Sequence, residues 1–225
     1  MLQDTRQRVM VKALDNISVT FSHGDRIGLI GHNGAGKSSL LRLLAGVYEP
    51  TEGSLELNGH VSPLLSFTQG LENELTGYEN IVIRGTIMGL RRAEIDQQVN
   101  EIAELTGLGD YLAMPTRTYS AGMLVRLAFA ISSSIKPDIL LIDEVFSAVD
   151  ADFMAKAKAR LVTLLNQSSI VIMANHANEM LMEFCNKGLI LEGGKIQFFG
   201  PIEQAIHQIT RTTGTQQDAN HLSGS

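Results

Sequence analysis

Gly31-His32-Asn33-Gly34-Ala35-Gly36-Lys37-Ser38 decides the reading of this chain. It matches G-x-x-x-x-G-K-[ST] at every fixed position. The residue types follow from what such a loop does. Glycines let backbone N–H groups turn inward around phosphate oxygens. Arg26 to Ile30 reads as a strand entering the loop, and Ser39 to Ala45 reads as a helix leaving it, with Gly46 as its stop. A helix that starts there directs its positive end at the same anion. Gly31, His32, Asn33, Gly34, Ala35, Gly36, Lys37, Ser38 and Ser39 are therefore the expected phosphate-binding residues. Lys37 is expected to reach the β- and γ-phosphates of a bound nucleotide, and the Ser38 hydroxyl to ligate Mg²⁺. His32 contributes its backbone more than its ring.

Outward from the loop, a second landmark is Ile139-Leu140-Leu141-Ile142, a short, wholly apolar run that suits a buried central strand of a parallel sheet. It ends in Asp143-Glu144, and ligand sites in open parallel sheets lie at the carboxyl ends of strands. Asp143 is expected to hold the metal's shell. Glu144 is expected to orient and polarise the water that attacks the γ-phosphate.

The remaining elements alternate. Ile17 to Phe21 and Ser54 to Leu57 read as further strands, with turns at His23-Gly24-Asp25 and Thr51-Glu52-Gly53. Tyr78 to Met88 and Arg91 to Leu105 read as helices. In the second, Ile95, Val99, Ile102 and Leu105 recur at helical spacing with Glu94, Asp96, Glu101 and Glu104 between them. Ser120 to Ser134 and Ala151 to Leu165 are helical, and Ile170 to Met173 is another buried strand. Gly188 to Leu191 and Lys195 to Phe199 read as a hairpin about Glu192-Gly193-Gly194. The alternation predicts an α/β fold. It places one domain over 1–210, with a core of 1–70 and 119–210, an inserted helical subdomain of 71–118, and a disordered tail of 211–225.

Bulk properties narrow the function. The chain has 225 residues, a net charge of −6 and 44% hydrophobic residues, so it offers no broad basic field for nucleic acid. No apolar run approaches the ~18 residues that a membrane span needs, so direct insertion is not expected. The single cysteine, Cys185, reads as a buried inert thiol in a reducing compartment.

Tyr119-Ser120-Ala121-Gly122-Met123, 23 positions before Asp143 when counted from Ser120, resembles the signature of ATP-binding-cassette (ABC) ATPases. Gln69 resembles that family's Q-loop glutamine, Ser147-Ala148-Val149-Asp150 its D-loop, and His176 in Ala174-Asn175-His176 its switch histidine. Ala13 to Ser18 resembles its opening strand region. The resemblance covers about residues 11 to 205. It implies a P-loop NTPase of the ABC-ATPase fold, with a mixed central sheet, an N-terminal antiparallel β part and an inserted helical subdomain. It also implies a homodimer in which the signature of one copy meets the ATP on the other's phosphate loop. In that scheme His176 contacts the γ-phosphate, Gln69 touches the metal or water, and Asp150 lies at the dimer seam. Glu144, His176 and Lys37 are the catalytic set, and Ser38, Asp143 and Gln69 the metal set.

The Y-S-x-G-M signature, with Glu74-Leu75-Thr76-Gly77-Tyr78-Glu79-Asn80 ahead of it, resembles the ATPases of polysaccharide exporters. That implies two copies of an integral membrane permease as partner, a peripheral place on the cytoplasmic face of the bacterial inner membrane, and O-antigen, capsule or teichoic-acid polymers as cargo. The length resembles the short form, without a carbohydrate-recognition domain. A soluble cassette that remodels nucleic acid or protein complexes is the competing reading. Its usual coiled-coil insertions, tandem cassettes and basic patches are not visible. Two departures stand out: Ala121 replaces a frequent glycine, and residues 1–16 contain no aromatic side chain for adenine to stack on.

Overall fold

The computed structural model describes residues 2–3, 9–64, 70–143, 151–175 and 177–211. Gln69, Glu144, the Ser147 to Asp150 segment and His176 lie outside the described residues, as do 212–225. By internal packing the chain divides into two units. One comprises Met1–Gly59, Leu141–Glu144 and Ser169–Ser225, and the other His60–Leu140 and Val145–Ser168.

In the first unit, β1 (Leu2–Gln3) pairs antiparallel with β2 (Val9–Met10). β3 (Arg26–Ile30) feeds the Gly-rich loop and α1 (Lys37–Leu44). β3 is an interior strand, with Ile27 and Leu29 fully buried, which is why its sequence shows no polar alternation. The second unit supplies β4 (Val61–Leu64), α2 (Gly77–Ile87), α3 (Arg92–Thr106), two 3₁₀ turns (Gly109–Ala113 and Thr116–Thr118) and α4 (Ala121–Ser132). β5 (Ile139–Asp143) starts in the second unit and ends in the first. α5 (Ala151–Gln167) belongs to the second unit. β6 (Ile170–Ala174), α6 (Asn178–Phe184), β7 (Lys187–Glu192), β8 (Lys195–Pro201) and a final helix, 202–211, complete the first.

The sheet has six strands in the order β4-β5-β6-β3-β7-β8. β3 lies parallel to β6, with Gly28 opposite Met173, and parallel to β7, with Leu29 opposite Leu189. β7 and β8 form the expected hairpin, with Glu192 opposite Lys195 across Gly193-Gly194, so the sheet is mixed. Pro63, which donates no ladder hydrogen bond, lies on the edge strand β4, where a sheet tolerates it. At the start of β3, Asp25 is 6% exposed and pairs with Lys187 at 2.7 Å. The Asn186 amide ties the same corner, accepting from Arg26 N–H at 2.9 Å and donating to the Gly24 carbonyl at 2.9 Å.

The second unit closes its own core from Ile81, Ile95, Ile102, Leu108, Leu112, Tyr119, Leu127, Ala130 and Ile131. The stripe expected on α3 is in place: Ile95 and Ile102 are buried, with Val99 and Leu105 packed against them. α2 begins with a capping box, in which Glu79 N–H donates to Thr76 Oγ1 at 3.2 Å and Thr76 N–H donates to Glu79 Oε2 at 2.8 Å. The Thr76 N–H and the Thr76 hydroxyl, which also donates to Glu79 Oε2 at 2.8 Å, hold the Glu79 carboxyl below its ordinary pKa.

Two strand expectations fail. Residues 17–21 and 54–57 carry no strand. Ile17, Val19 and Phe21 are half-buried while Ser18 and Thr20 are exposed, so the period-2 alternation is real. Alternation specifies a face, but a strand also needs a neighbour for its hydrogen bonds. Phe21 instead meets Phe199 edge-on at 5.7 Å. Conversely, β4 and α6 were not expected from the sequence.

Candidate nucleotide site

β3 delivers the chain into the loop at Gly31. A Cβ on Gly31 would collide with the Leu191 carbonyl oxygen, and one on Gly36 would stand 2.9 Å from the Ala13 carbonyl oxygen. Gly36 also has φ of 111°, a conformation only glycine adopts without strain. Both glycines are thus demanded by backbone that presses on the loop from outside. The Ala13–Asp15 strap is held beside the loop by hydrogen bonds: Asp15 N–H donates to the Gly194 carbonyl at 2.8 Å, and Gly194 N–H donates to the Ala35 carbonyl at 3.1 Å. Asp15 also pairs with Lys12 and, at 3.3 Å, with Lys195. These two lysines hold its carboxyl below the usual carboxylate range.

Lys37 opens α1 and is 8% exposed. Its ammonium donates to the carbonyls of Gly31 at 2.6 Å and His32 at 3.1 Å, so it lies over the loop backbone. Ser38 is exposed and Ser39 half-buried at the open end of the helix. Leu40, Leu41 and Leu44 anchor the opposite face. The helix ends in paired bonds, Gly46 N–H to the Leu43 carbonyl at 3.0 Å and Val47 N–H to the Arg42 carbonyl at 2.9 Å, the pattern that closes a helix at a left-handed residue. His32 is exposed, and its Nδ1 lies 2.7 Å from the Asn33 carbonyl. Asn33 and Gly34 are also exposed, while Ala35 is buried.

Asp143 is the last residue of β5 and is half-buried. The hydroxyl of Ser38 and the carboxylate of Asp143 are hard oxygen donors of the kind Mg²⁺ takes. Among the described residues no cluster of three or more His, Cys, Asp or Glu forms a self-contained metal site.

Tyr119 to Met123, the run that resembles the signature, lies in the second unit. Ser120 is the N-cap of α4: its Oγ accepts from Met123 N–H at 3.3 Å. Ser120 and Ala121 are exposed, Gly122 and Met123 half-buried, and Tyr119 is 7% exposed. Sequence reasoning missed the Ala13–Asp15 strap beside the phosphate loop. Its partner, Gly194, is remote along the chain, and no local pattern announces the pairing. Asn80 is fully buried, and nothing in Glu74 to Asn80 as sequence sets it apart from its exposed neighbours.

Comparison with known proteins gives a family. The model of the ABC transporter family matches residues 14–147. The O-antigen export system ATP-binding protein RfbE of Yersinia enterocolitica is 44% identical over 188 residues, which is 84% of this chain and 79% of the relative. The teichoic acids export ATP-binding protein TagH of Staphylococcus haemolyticus is 38% identical over 194 residues, 86% of this chain and 73% of the relative. A solved ATP-binding subunit of an ABC transporter superposes with a TM-score of 0.75 at 22% identity, covering 88% of this chain and 87% of that one. The chain therefore belongs to the ABC transporter family, and its fold is that family's ATPase cassette.

Proposed function

We propose that this chain is the ATP-binding and ATP-hydrolysing subunit of an exporter that moves a lipid-linked cell-surface polysaccharide of the O-antigen, capsule or teichoic-acid type. The observation that carries the ATPase reading is the loop itself: glycines pinned by outside backbone, with the Lys37 ammonium held over the loop carbonyls. The export reading rests on relatives that are named for O-antigen and teichoic-acid export.

In this reading the loop amides and Lys37 hold the β- and γ-phosphates. Ser38 and Asp143, with Gln69, hold Mg²⁺, which when bound neutralises charge on the phosphate oxygens. Glu144 orients the attacking water and accepts its proton, and His176 steadies the γ-phosphate. Ser120 and the start of α4 offer a second anion site, because a helix N-terminus presents unpaired N–H groups. Two copies arranged head to tail bring that site to the nucleotide on the other copy, with Asp150 at the seam. ATP binds the closed pair better than the open one and so shifts the population toward it. The 71–118 insert serves as a helical subdomain. Two copies of a separate permease supply the path, with this chain peripheral on the cytoplasmic face of the inner membrane, a reading supported by relatives named for export systems; no described helix is long and apolar enough to cross a membrane.

Affinity purification of the tagged chain from membranes tests this. A copurifying polytopic membrane protein with lipid-linked polymer is the expected result. ATPase activity stimulated by nucleic acid, with no membrane protein recovered, overturns the export reading.

A further inference from the structure

Glu74-Leu75-Thr76-Gly77-Tyr78-Glu79-Asn80 marks the exporter resemblance in the sequence but takes no part in the nucleotide chemistry above. In the structure it is fastened to the residues that lead into the signature. Thr116 N–H donates to the Leu75 carbonyl at 2.9 Å, and Arg117 N–H to the Asn73 carbonyl at 2.9 Å. Thr116 Oγ1 donates to the Glu72 carbonyl at 3.0 Å, and the Arg117 guanidinium meets Glu74 at 2.6 Å. Thr76 and Pro115 form an isolated antiparallel bridge.

This clip ends beside Tyr119. The phenol is buried, and its hydroxyl donates to the Tyr111 carbonyl at 2.6 Å. Gly77, the first residue of α2, lies against the ring's oxygen. A Cβ at Gly77 would stand 2.6 Å from that oxygen and 2.7 Å from Leu112 Cδ2. The missing side chain at Gly77 is therefore what admits the phenol. The next residue, Ser120, is exposed and caps α4. One peptide bond separates a phenol bolted into the core from the hydroxyl that the signature presents.

We propose that Tyr119 is a positioning residue for Ser120: its hydroxyl, bonded to the Tyr111 carbonyl in the slot left by Gly77, fixes where Ser120 and the start of α4 face a nucleotide held by a second copy. This rests on the reading of Ser120 as acting in trans. Apolar burial of the ring needs no oxygen, so Tyr119→Phe keeps the packing and removes the tether. Gly77→Ala keeps the hydroxyl but displaces it.

The test compares wild type, Tyr119→Phe, Gly77→Ala, the double variant and Ser120→Ala. Two quantities are measured: affinity for MgADP by calorimetry, and steady-state ATP hydrolysis as a function of subunit concentration. Tyr119→Phe and Gly77→Ala should bind MgADP as wild type does, since the phosphate loop is untouched. Their kcat should fall about fivefold, as expected for one lost hydrogen bond. The subunit concentration for half-maximal rate should rise, and the double variant should be no worse than either single one. Wild-type hydrolysis by Tyr119→Phe at every subunit concentration overturns the proposal, as does a parallel loss of MgADP affinity, which marks general damage. Should Gly77→Ala misfold, Tyr119→Phe decides alone. If Ser120→Ala hydrolyses normally, the trans reading falls and takes this inference with it. If Ser120→Ala is slow and Tyr119→Phe is not, this inference alone fails.

Discussion

Asn80 offers a quantitative test of the clip that precedes the signature. Its side chain is fully buried. Oδ1 accepts from Glu72 N–H at 2.8 Å, and Nδ2 donates toward the carbonyls of Glu72 at 3.1 Å, Leu75 at 3.3 Å and Thr76 at 3.0 Å. Two amide hydrogens are shared among these carbonyls, so the side chain makes about three full hydrogen bonds. At about 1 kcal/mol each the sum is about 3 kcal/mol. Truncation does not strip every carbonyl, however. The Leu75 oxygen keeps Thr116 N–H, the Glu72 oxygen keeps Thr116 Oγ1, and the Thr76 oxygen keeps the residue's own N–H. Asn80→Ala should therefore cost about 2–3 kcal/mol.

Asn80→Asp sharpens the test. It keeps the acceptor for Glu72 N–H but turns the donor into a second oxygen facing carbonyls, in a site closed to water. Near pH 8 it should be less stable than Asn80→Ala. Once protonated, the carboxyl has a hydrogen to donate, so the folded state holds that proton more tightly than the unfolded chain does. A raised folded pKa means that the stabilising share is present at low pH and is lost as pH rises. The deficit of Asn80→Asp should thus shrink between about pH 8 and about pH 5. Urea unfolding followed by circular dichroism measures the cost, and amide exchange at Thr116 and Arg117 reports the clip locally. A loss below about 0.5 kcal/mol for Asn80→Ala, or a pH-independent Asn80→Asp as stable as wild type, would refute the reasoning.

Lys37→Ala should lose most ATP affinity in calorimetry, and undiminished binding would remove the basis of the phosphate-loop assignment. Glu144→Gln should bind ATP and pair, yet nearly stop hydrolysing, which size exclusion and phosphate release together would reveal. Cys185 is packed near Gly28, and burial pushes its thiol up to about 12 from an ordinary value of 9.0. Iodoacetamide should leave it unmodified near pH 8 until urea unfolds the chain. Because the folded pKa is the higher one, its contribution to stability is whole below the unfolded value and fades as pH climbs toward the folded one. Labelling of the native protein at the rate of a free thiol would contradict the burial.

The sequence by itself determined what is local. The Gly-rich loop between β3 and α1 is a contiguous run, so the strand, turn and helix around Gly31 to Ser38 were legible in one pass. The apolar run ending at Asp143, the stripe on α3 and the turn at Gly193-Gly194 were legible for the same reason: each is specified by residues within a few positions of one another. Only the tertiary structure decided what depends on a distant partner. Residues 17–21 alternate as a strand does, yet find no neighbour to complete a ladder. Val61–Leu64, with a proline inside it, becomes a strand because an edge position forgives the missing N–H. Gly31 and Gly36 have to be glycine because Leu191 and Ala13, remote in sequence, press upon them. Asn80, Gly77 and Tyr119 acquire their meaning only when chain near residue 75 is laid against chain near residue 116. Sequence spacing fixes periods and turns, but hydrogen bonds and steric exclusion between far-separated segments are set by the folded chain.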